Sequence, residues 1–290
     1  MAEPNKSSTC SACGWTSQKQ HHCSYTSSVK LFYGAGPRGV WSIGTDFVLK
    51  ERPADPPSYE ATNTKFLHAH TSIPIPGVSK YWVDKGGRQF IMADRVDGED
   101  LQTAWSTLSQ DAKLHIAEQT ADFLQQLRNL HSGKMASIGD APLYSGWLFL
   151  QGVATPHGPF ASDDAFWQSL VRRLEKVPEK ARDALRKQFP PCTPYTFTHG
   201  DLSNVNIMVK DGNLAAIVDW EGAGYFPAWW EYTAAGIGLG PEDKEWKELL
   251  SSKMQPFEDG RAFWKMFRLL SRYPDLDDHG KGLVEELLRQ

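Results

Sequence analysis

Cysteine is scarce in this chain, with four in 290 residues. Cys10, Cys13 and Cys23 fall close to the N-terminus, and only Cys192 stands elsewhere. A disulfide framework for the body of the protein is thereby excluded, so stability must come from a packed core. A hydrophobic content of 40% over this length is enough to build one. Also missing is any apolar run approaching the roughly 20 residues that span a bilayer. The N-terminus lacks the charged-then-apolar order of a signal peptide. No membrane partner is therefore expected, and the expected compartment is cytoplasmic. An excess of basic charge is absent too: 31 Lys and Arg stand against 35 Asp and Glu, a net charge of −4. With no basic run, a nucleic-acid partner is not expected. The chain has no repeat and no low-complexity tract, and its length suits one two-lobed unit better than several independent domains.

What is present is concentrated in THGDLSNVNIMVKDGNLAAIVDW, residues 198–220. Ile207 to Val209 and Leu214 to Val218 are β-prone runs separated by Lys210-Asp211-Gly212-Asn213. An Asp-Gly between apolar runs predicts a hairpin. Folding about Asp211-Gly212 brings Asn206, before the first strand, near Asp219, after the second. Opposed side chains lie about 5 Å apart. One amide oxygen and one carboxylate could then share a hard cation such as magnesium, which takes oxygen ligands. His199-Gly200-Asp201 lies just upstream, on a loop entered from the alternating Tyr195 and Phe197. It could add a third oxygen ligand or a base. The plainer alternative makes His199 a buried scaffold histidine and Asp211 a turn residue only.

The spacing His-x-Asp-x-x-x-x-Asn, followed by an Asp after a hairpin, resembles the catalytic loop and metal-binding Asp of the kinase-like superfamily. Spelled HGDLSNVNI and then IVDWE, it resembles the aminoglycoside phosphotransferase (APH) family, closest to its fungal branch. The resemblance runs from about Val29 to the C-terminus. It implies an α+β, two-lobed protein-kinase-like fold: a small β-rich N-lobe over 29–96 and a larger, mainly helical C-lobe over 97–290, preceded by a tail over 1–28. It does not name a substrate, because function lives in sites grafted on folds.

The resemblance also implies a nucleotide cradle. Val40 to Ile43 and Asp46 to Leu49 read as strands joined across Gly44-Thr45, with Lys50 at the end of FVLK as the candidate cation for ATP phosphates. Its expected partner is Glu60, on the helix after Pro56-Pro57, with Glu51 as the rival. GAGPRG, residues 34–39, matches G-x-G-x-x-G. Strands follow it, so it reads either as a β-turn region approaching phosphates through backbone N–H groups or as a plain turn. FIMADRVDG reads as the link between lobes. There adenine would meet backbone groups near Ala93 and Arg95, with Ile91 and Met92 lining an apolar slot. Ser109 is the expected N-cap of a core helix carrying Ile116, Phe123, Leu127 and Leu130.

The roles that follow are those of an ATP-dependent kinase. Asp201 would orient an acceptor hydroxyl and take its proton, with His199 bracing the loop. Asn206 and Asp219 would hold Mg2+, and Lys50, positioned by Glu60, would clamp the phosphates. After Asp219 the segment EGAGYFPAWWEYTAAGIG begins at once, leaving no long activation segment. A small-molecule hydroxyl substrate is therefore expected ahead of a protein one. Trp229, Trp230 and Tyr232 are read as core, or else as pocket wall. DLDDHG near Asp275 and the EDKEWKE run are read as solvated charged faces. The competing class is a nucleotide-binding pseudokinase that scaffolds without catalysis; a protein kinase comes third. In the tail, Cys10, Cys13 and Cys23 with His21 supply enough ligands for a tetrahedral Zn2+. A disordered tail or a docking strand is the alternative there.

Overall fold

A computed structural model describes residues 29–289 of the chain. Cys10, Cys13, His21 and Cys23 lie outside the described residues. The first part is β1 (Val29–Ala35), β2 (Arg38–Ile43), β3 (Phe47–Pro53), α1 (Glu60–His70), β4 (Val78–Val83) and β5 (Arg88–Asp94). Its strands form one antiparallel sheet in the order β1-β2-β3-β5-β4. GAGPRG is the β1–β2 hairpin, with Ala35 opposite Arg38 across Gly36-Pro37. The strand after it leaves no room for a helix that would open a Rossmann unit. Lys50 does not end its strand as FVLK suggested. It stands inside β3, opposite Val40 and Ile91, because the pairing continues through Glu51, Arg52 and Pro53.

The rest comprises β6 (Glu99–Asp100), α2 (Leu101–Ala104), α3 (Gln110–Arg128), β7 (His131–Ser132), α4 (Gly146–Phe149), α5 (Asp163–Val171), α6 (Glu179–Lys187), β8 (Tyr195–Thr198), β9 (Ile207–Lys210), β10 (Asn213–Ile217), β11 (Gly224–Pro227), α7 (Trp230–Ala234), α8 (Pro241–Lys253), α9 (Glu258–Leu270) and α10 (Asp278–Arg289). Two small sheets, β10-β9-β6 and β11-β8-β7, carry the loops of interest. The link into this part crosses β9 at Gly98, where a Cβ would lie 2.4 Å from the Val209 carbonyl oxygen. Only glycine allows that approach. Among the described residues, no helix is long and apolar enough to cross a membrane.

Helix α3 starts where expected, with the Ser109 hydroxyl accepting from the Ala112 N–H. Its buried stripe is Ile116, Ala117, Thr120, Ala121, Leu124 and Leu127. Burying each leucine there contributes about 1.5–3 kcal/mol. Phe123 is only partly buried, one step off the stripe. This core also takes Leu67 of α1, Ile73 and Ile75, together with Phe197, Ile207 and Ile217 of the loop-bearing strands. A second core gathers Trp229, Trp230, Phe263 and Phe267. Trp229, Trp230 and Tyr232 are all buried and belong to the core, with Tyr232 also bordering a cavity beside α8 and α9. The EDKEWKE run departs from a solvated face: Asp243 and Lys247 are each 4% exposed and pair at 2.9 Å.

His157 is a further buried polar group. Its ring stacks on Phe149 with centroids 3.7 Å apart, and its Nε2 has no hydrogen-bond partner. Burial pushes its pKa down to about 4. Above pH 6.5 the ring is neutral folded and unfolded alike. As pH falls from about 6.5 to 4, the unfolded chain gains a proton that the folded one refuses, so stability is lost in that window, by up to about 3 kcal/mol. Thermal melts from pH 7 to pH 4 should show this loss, and His157→Phe should remove that component of it. Equal acid slopes for the two proteins would show that His157 contributes nothing.

Candidate active site

Strand β8 ends at Thr198, and the chain turns through His199-Gly200-Asp201, with Gly200 at φ +80°. His199 is 2% exposed. Its Nε2 lies 3.0 Å from the Val218 carbonyl, and its Nδ1 lies 3.2 Å from the Asp201 N–H. A carbonyl can only accept and an N–H can only donate, so the ring carries its proton on Nε2. Both nitrogens are committed to backbone, and the ring packs edge-on against Trp220 at 4.5 Å. His199 therefore braces the loop and has no free nitrogen for proton transfer. The Asp201 residue is exposed.

The hairpin forms about Asp211-Gly212, both at positive φ (50° and 76°), as a type I′ turn requires. A register shift between Leu214 and Ala216 advances the pairing by one residue, which brings Asp219 one step nearer Asn206 than an unbroken ladder would. Ile217 faces Ile207, and the Val218 N–H donates to the Asn206 carbonyl at 3.0 Å. Asn206 thus meets Val218, with Asp219 one residue beyond, rather than Asp219 directly. The Asn206 amide donates through Nδ2 to the Asp201 carbonyl at 2.9 Å and towards Asp201 Oδ2 at 3.4 Å. That fixes its orientation and leaves Oδ1 as its acceptor. Asp219 takes left-handed backbone angles, φ 66° and ψ 54°, uncommon for a residue with a side chain. One amide oxygen and one partly exposed carboxylate fit a hard divalent cation such as magnesium.

From the sheet, Lys50 Nζ lies 2.5 Å from Glu60 Oε1 and 3.5 Å from Asp219 Oδ1. Burial alone would lower the Lys50 pKa, but Glu60 and then Asp219 outweigh it, and the ammonium is held well above its ordinary value. Burial would likewise raise Asp219, yet foremost Lys50 carries its carboxyl below the usual range. Glu221 ties the same turn to the sheet by ion pairs with Arg38 (2.8 Å) and Arg52. Asn63, fully buried on α1, donates to the carbonyls of Trp220 at 2.8 Å and Ala223 at 3.0 Å. Glu51 is not the lysine's partner; it pairs with Arg88 at 2.7 Å.

The expected adenine contacts fit less well. Ile91 and Ala93 are buried in β5, and Met92 is half-buried, with its carbonyl accepting from the Ser79 hydroxyl at 3.1 Å. The Arg95 N–H donates to the Asp46 carbonyl at 2.8 Å, and its guanidinium donates to Ser42 Oγ at 3.0 Å. Arg95 therefore has no spare amide for a base in this state, because the β2–β3 turn folds over the link and takes it.

Three residues that sequence reasoning missed hold the loop from behind. Glu231 of α7, buried, accepts from the N–H groups of His199 at 2.6 Å and Gly200 at 3.0 Å. Burial nonetheless keeps its carboxyl pKa raised. Asp243 of α8 accepts from the Asn204 N–H at 2.9 Å and the Leu239 N–H at 2.8 Å. Trp246 donates from its indole to the Leu202 carbonyl at 2.9 Å. The one signal available was Asp243, Trp246 and Lys247 falling at the three- and four-residue spacing of one helix face.

The sequence model described as the phosphotransferase enzyme family, APH, matches residues 34–250. No curated protein matches the chain. Among solved structures, the GDP complex of wild-type aminoglycoside 2'-phosphotransferase-IIIa is similar at 18% identity and a TM-score of 0.55, covering 94% of this chain and 96% of that one. A thermostable mutant of aminoglycoside phosphotransferase APH(4)-Ia, in ternary complex with AMP-PNP and hygromycin B, is similar at 15% identity and a TM-score of 0.59, covering 91% and 94%. The streptomycin-ATP-APH(2")-IIa ternary complex is similar at 16% identity and a TM-score of 0.54, covering 91% and 92%. These likenesses show a protein-kinase-like α+β fold.

Glu231→Gln tests the anchoring. An amide has one acceptor oxygen where the carboxylate has two, so one buried N–H would face an NH2 group. The expected loss is about 1–3 kcal/mol in denaturant unfolding. A change below about 0.5 kcal/mol would mean the loop stands without that anchor.

Proposed function

This chain belongs to the phosphotransferase enzyme family, and from that premise we propose that it moves the γ-phosphate of ATP to a hydroxyl of a small molecule. One observation carries the reading: Lys50 pairs with Asp219, Asn206 bonds Asp201, and the Val218 N–H joins Asn206 to the residue before Asp219, so the four side chains gather about the base of one hairpin. The acceptor oxygen attacks the γ-phosphorus while the Asp201 carboxylate takes the hydroxyl proton. The bond from γ-phosphorus to the bridging oxygen breaks, and ADP leaves with that electron pair. Lys50, oriented by Glu60, offsets the charge of the α- and β-phosphates. Asn206 and Asp219 would hold magnesium, which when bound neutralises charge on the transferring group. Catalysis is then mostly positioning and charge neutralisation.

Residues 29–96 would serve as the nucleotide lobe, with Met92 and Ala93 beside the base, and 97–290 as the acceptor lobe. A small acceptor is favoured by the short path from Asp219 to α7 at Trp230, which leaves no platform for a peptide. Two of the similar structures hold hygromycin B and streptomycin. Here Glu60, Glu221 and Glu231 are already engaged by Lys50, by Arg38 and Arg52, and by loop amides. The acceptor class is therefore kept as hydroxylated metabolites, of which aminoglycosides are one kind. Screening both sets for nucleotide consumption would identify it, and transfer to peptides alone would overturn the small-molecule reading.

Two carboxylates are assigned different work, and this separates an enzyme from a nucleotide-binding scaffold. Asp219→Ala should weaken magnesium-dependent nucleotide binding and abolish turnover. Asp201→Asn should leave nucleotide affinity intact, by calorimetry, while transfer falls by roughly 10² or more. A parent protein that binds nucleotide but transfers phosphate to no acceptor, including water, would sink the enzyme reading.

The tail reading is a separate proposal: Cys10, Cys13, Cys23 and His21 would hold one Zn2+. Protein purified without chelator should carry about one equivalent, lost in the Cys10→Ser, Cys13→Ser double variant. Metal-free parent protein would end that proposal.

A further inference from the structure

A cavity of about 360 Å³ lies between α8, α9 and the chain that joins α7 to α8. Its charged lining is Lys244, Lys247, Glu248, Arg261 and Lys265, and Ser251 is among the hydroxyl residues beside them. Four cations against one carboxylate is a local inversion in a chain of net charge −4. Lys247 is satisfied by Asp243 at 2.9 Å, and Lys244 touches Glu248 only at 3.8 Å. Among the described residues, neither Arg261 nor Lys265 forms an ion pair with a carboxylate. Like charges gathered this way repel unless an anion sits among them.

The site is also shaped. The Arg261 guanidinium stacks on the Tyr232 ring at 3.6 Å, and its Nη2 donates to the Tyr232 carbonyl and to Ser251 Oγ. The arginine is held in place before any ligand arrives, which lowers the ordering cost of binding. Ser251, accepting from Arg261, keeps its own proton to donate. The floor is glycine: a Cβ on Gly236 would come 3.3 Å from Arg261 Nε, and one on Gly238 would come 3.0 Å from the Lys244 Cβ. With both Nη2 hydrogens of Arg261 engaged and its Nε buried, Nη1 is the guanidinium nitrogen left to donate, and with two ammonium groups and a hydroxyl from different walls it suits a tetrahedral dianion.

We propose that this cavity is a binding site for a small phosphate-bearing anion, separate from the nucleotide site. Its wall includes Lys247, whose partner Asp243 holds the Asn204 amide, and Tyr232, the residue after Glu231. An occupant therefore touches neighbours of Glu231 and Asp243, two residues that support the loop from behind.

Calorimetry tests this with inorganic phosphate and with glycerol 3-phosphate, ionic strength being held constant with chloride. Phosphate could also sit at Lys50, so two variants separate the sites: Lys50→Ala, and the double variant Lys244→Ala, Lys265→Ala, whose side chains are at the surface. Saturable binding should persist in the first and weaken at least about tenfold in the second. Binding of the ester as well as the free ion would identify a metabolite phosphate as the ligand; binding of the ion alone would identify phosphate itself. Absence of saturable binding, or binding lost with Lys50 and kept in the double variant, would overturn the proposal. No arm measures turnover, so its failure is distinct from failure of the kinase reading.

Discussion

One buried carboxylate accepting two consecutive backbone N–H groups holds the functional loop in place. Residues 199–206 belong neither to a helix ladder nor to a strand pair over most of their length, yet His199, Ser203, Asn204 and Asn206 are buried. Their amides and carbonyls cannot reach water, and an unpaired buried peptide group is costly. Glu231 satisfies two of them, Asp243 a third, and the Trp246 indole a carbonyl. His199 closes the set through both ring nitrogens. Backbone groups thus bear the structural duty, and the Asp201 side chain and the Asn206 amide oxygen are the groups the proposed function assigns to a ligand.

Charge fastens the other side of the site by the same logic. Lys50, Glu60 and Asp219 form one cluster, and Glu221 with Arg38 and Arg52 forms a second two residues away. Desolvating such groups is expensive unless each is paired, so β2, β3, α1 and the Asp219 turn hold one arrangement together. Asn63 adds two neutral hydrogen bonds to the same turn. The helix that carries Glu60 is therefore bound to the backbone of the segment that carries Asp219. Lys50 and Asp219 cannot drift apart without exposing buried polar groups.

The difference between what the sequence made legible and what it hid follows from separation along the chain. The hairpin was readable because Asp211-Gly212 sets its own backbone angles, and the hairpin alone brings Asn206 beside the strand end that carries Asp219. Lys50 with Glu60 was readable through the family pattern, ten residues apart in sequence. The anchors were not: Glu231 lies 32 residues from His199, and Asp243 lies 39 from Asn204. Among so many aromatics, Glu231 looked like a detail of a core segment, and Asp243 was hidden by the acidic and basic residues around it. Burial decides such cases, and burial is a property of the assembled chain. The final offset of one residue between Asn206 and Asp219 was equally invisible, since it is set by a register shift inside β10 that the apolar run does not announce.

Phosphoryl transfer, on the proposed reading, asks the protein mainly to hold charges and acceptors in line, and Lys50 and Asp219 are placed by Glu60, by Asn63 and by the Glu221 ion pairs. No ordering of a long segment after Asp219 is needed, because β11 pairs with β8 from Gly224 onward and brings the chain straight back to the loop's own strand. On the proposed reading the loop would offer any hydroxyl the same carboxylate, and discrimination among acceptors would fall to surfaces that the loop does not supply. One aromatic pair borders the Asp219 turn: Tyr59 donates its N–H to the Glu221 carbonyl at 3.4 Å, and its ring stands 6.1 Å from that of Tyr144. Changes to those two rings would alter what can approach the turn while leaving every contact that holds Asp201, Asn206 and Asp219 untouched.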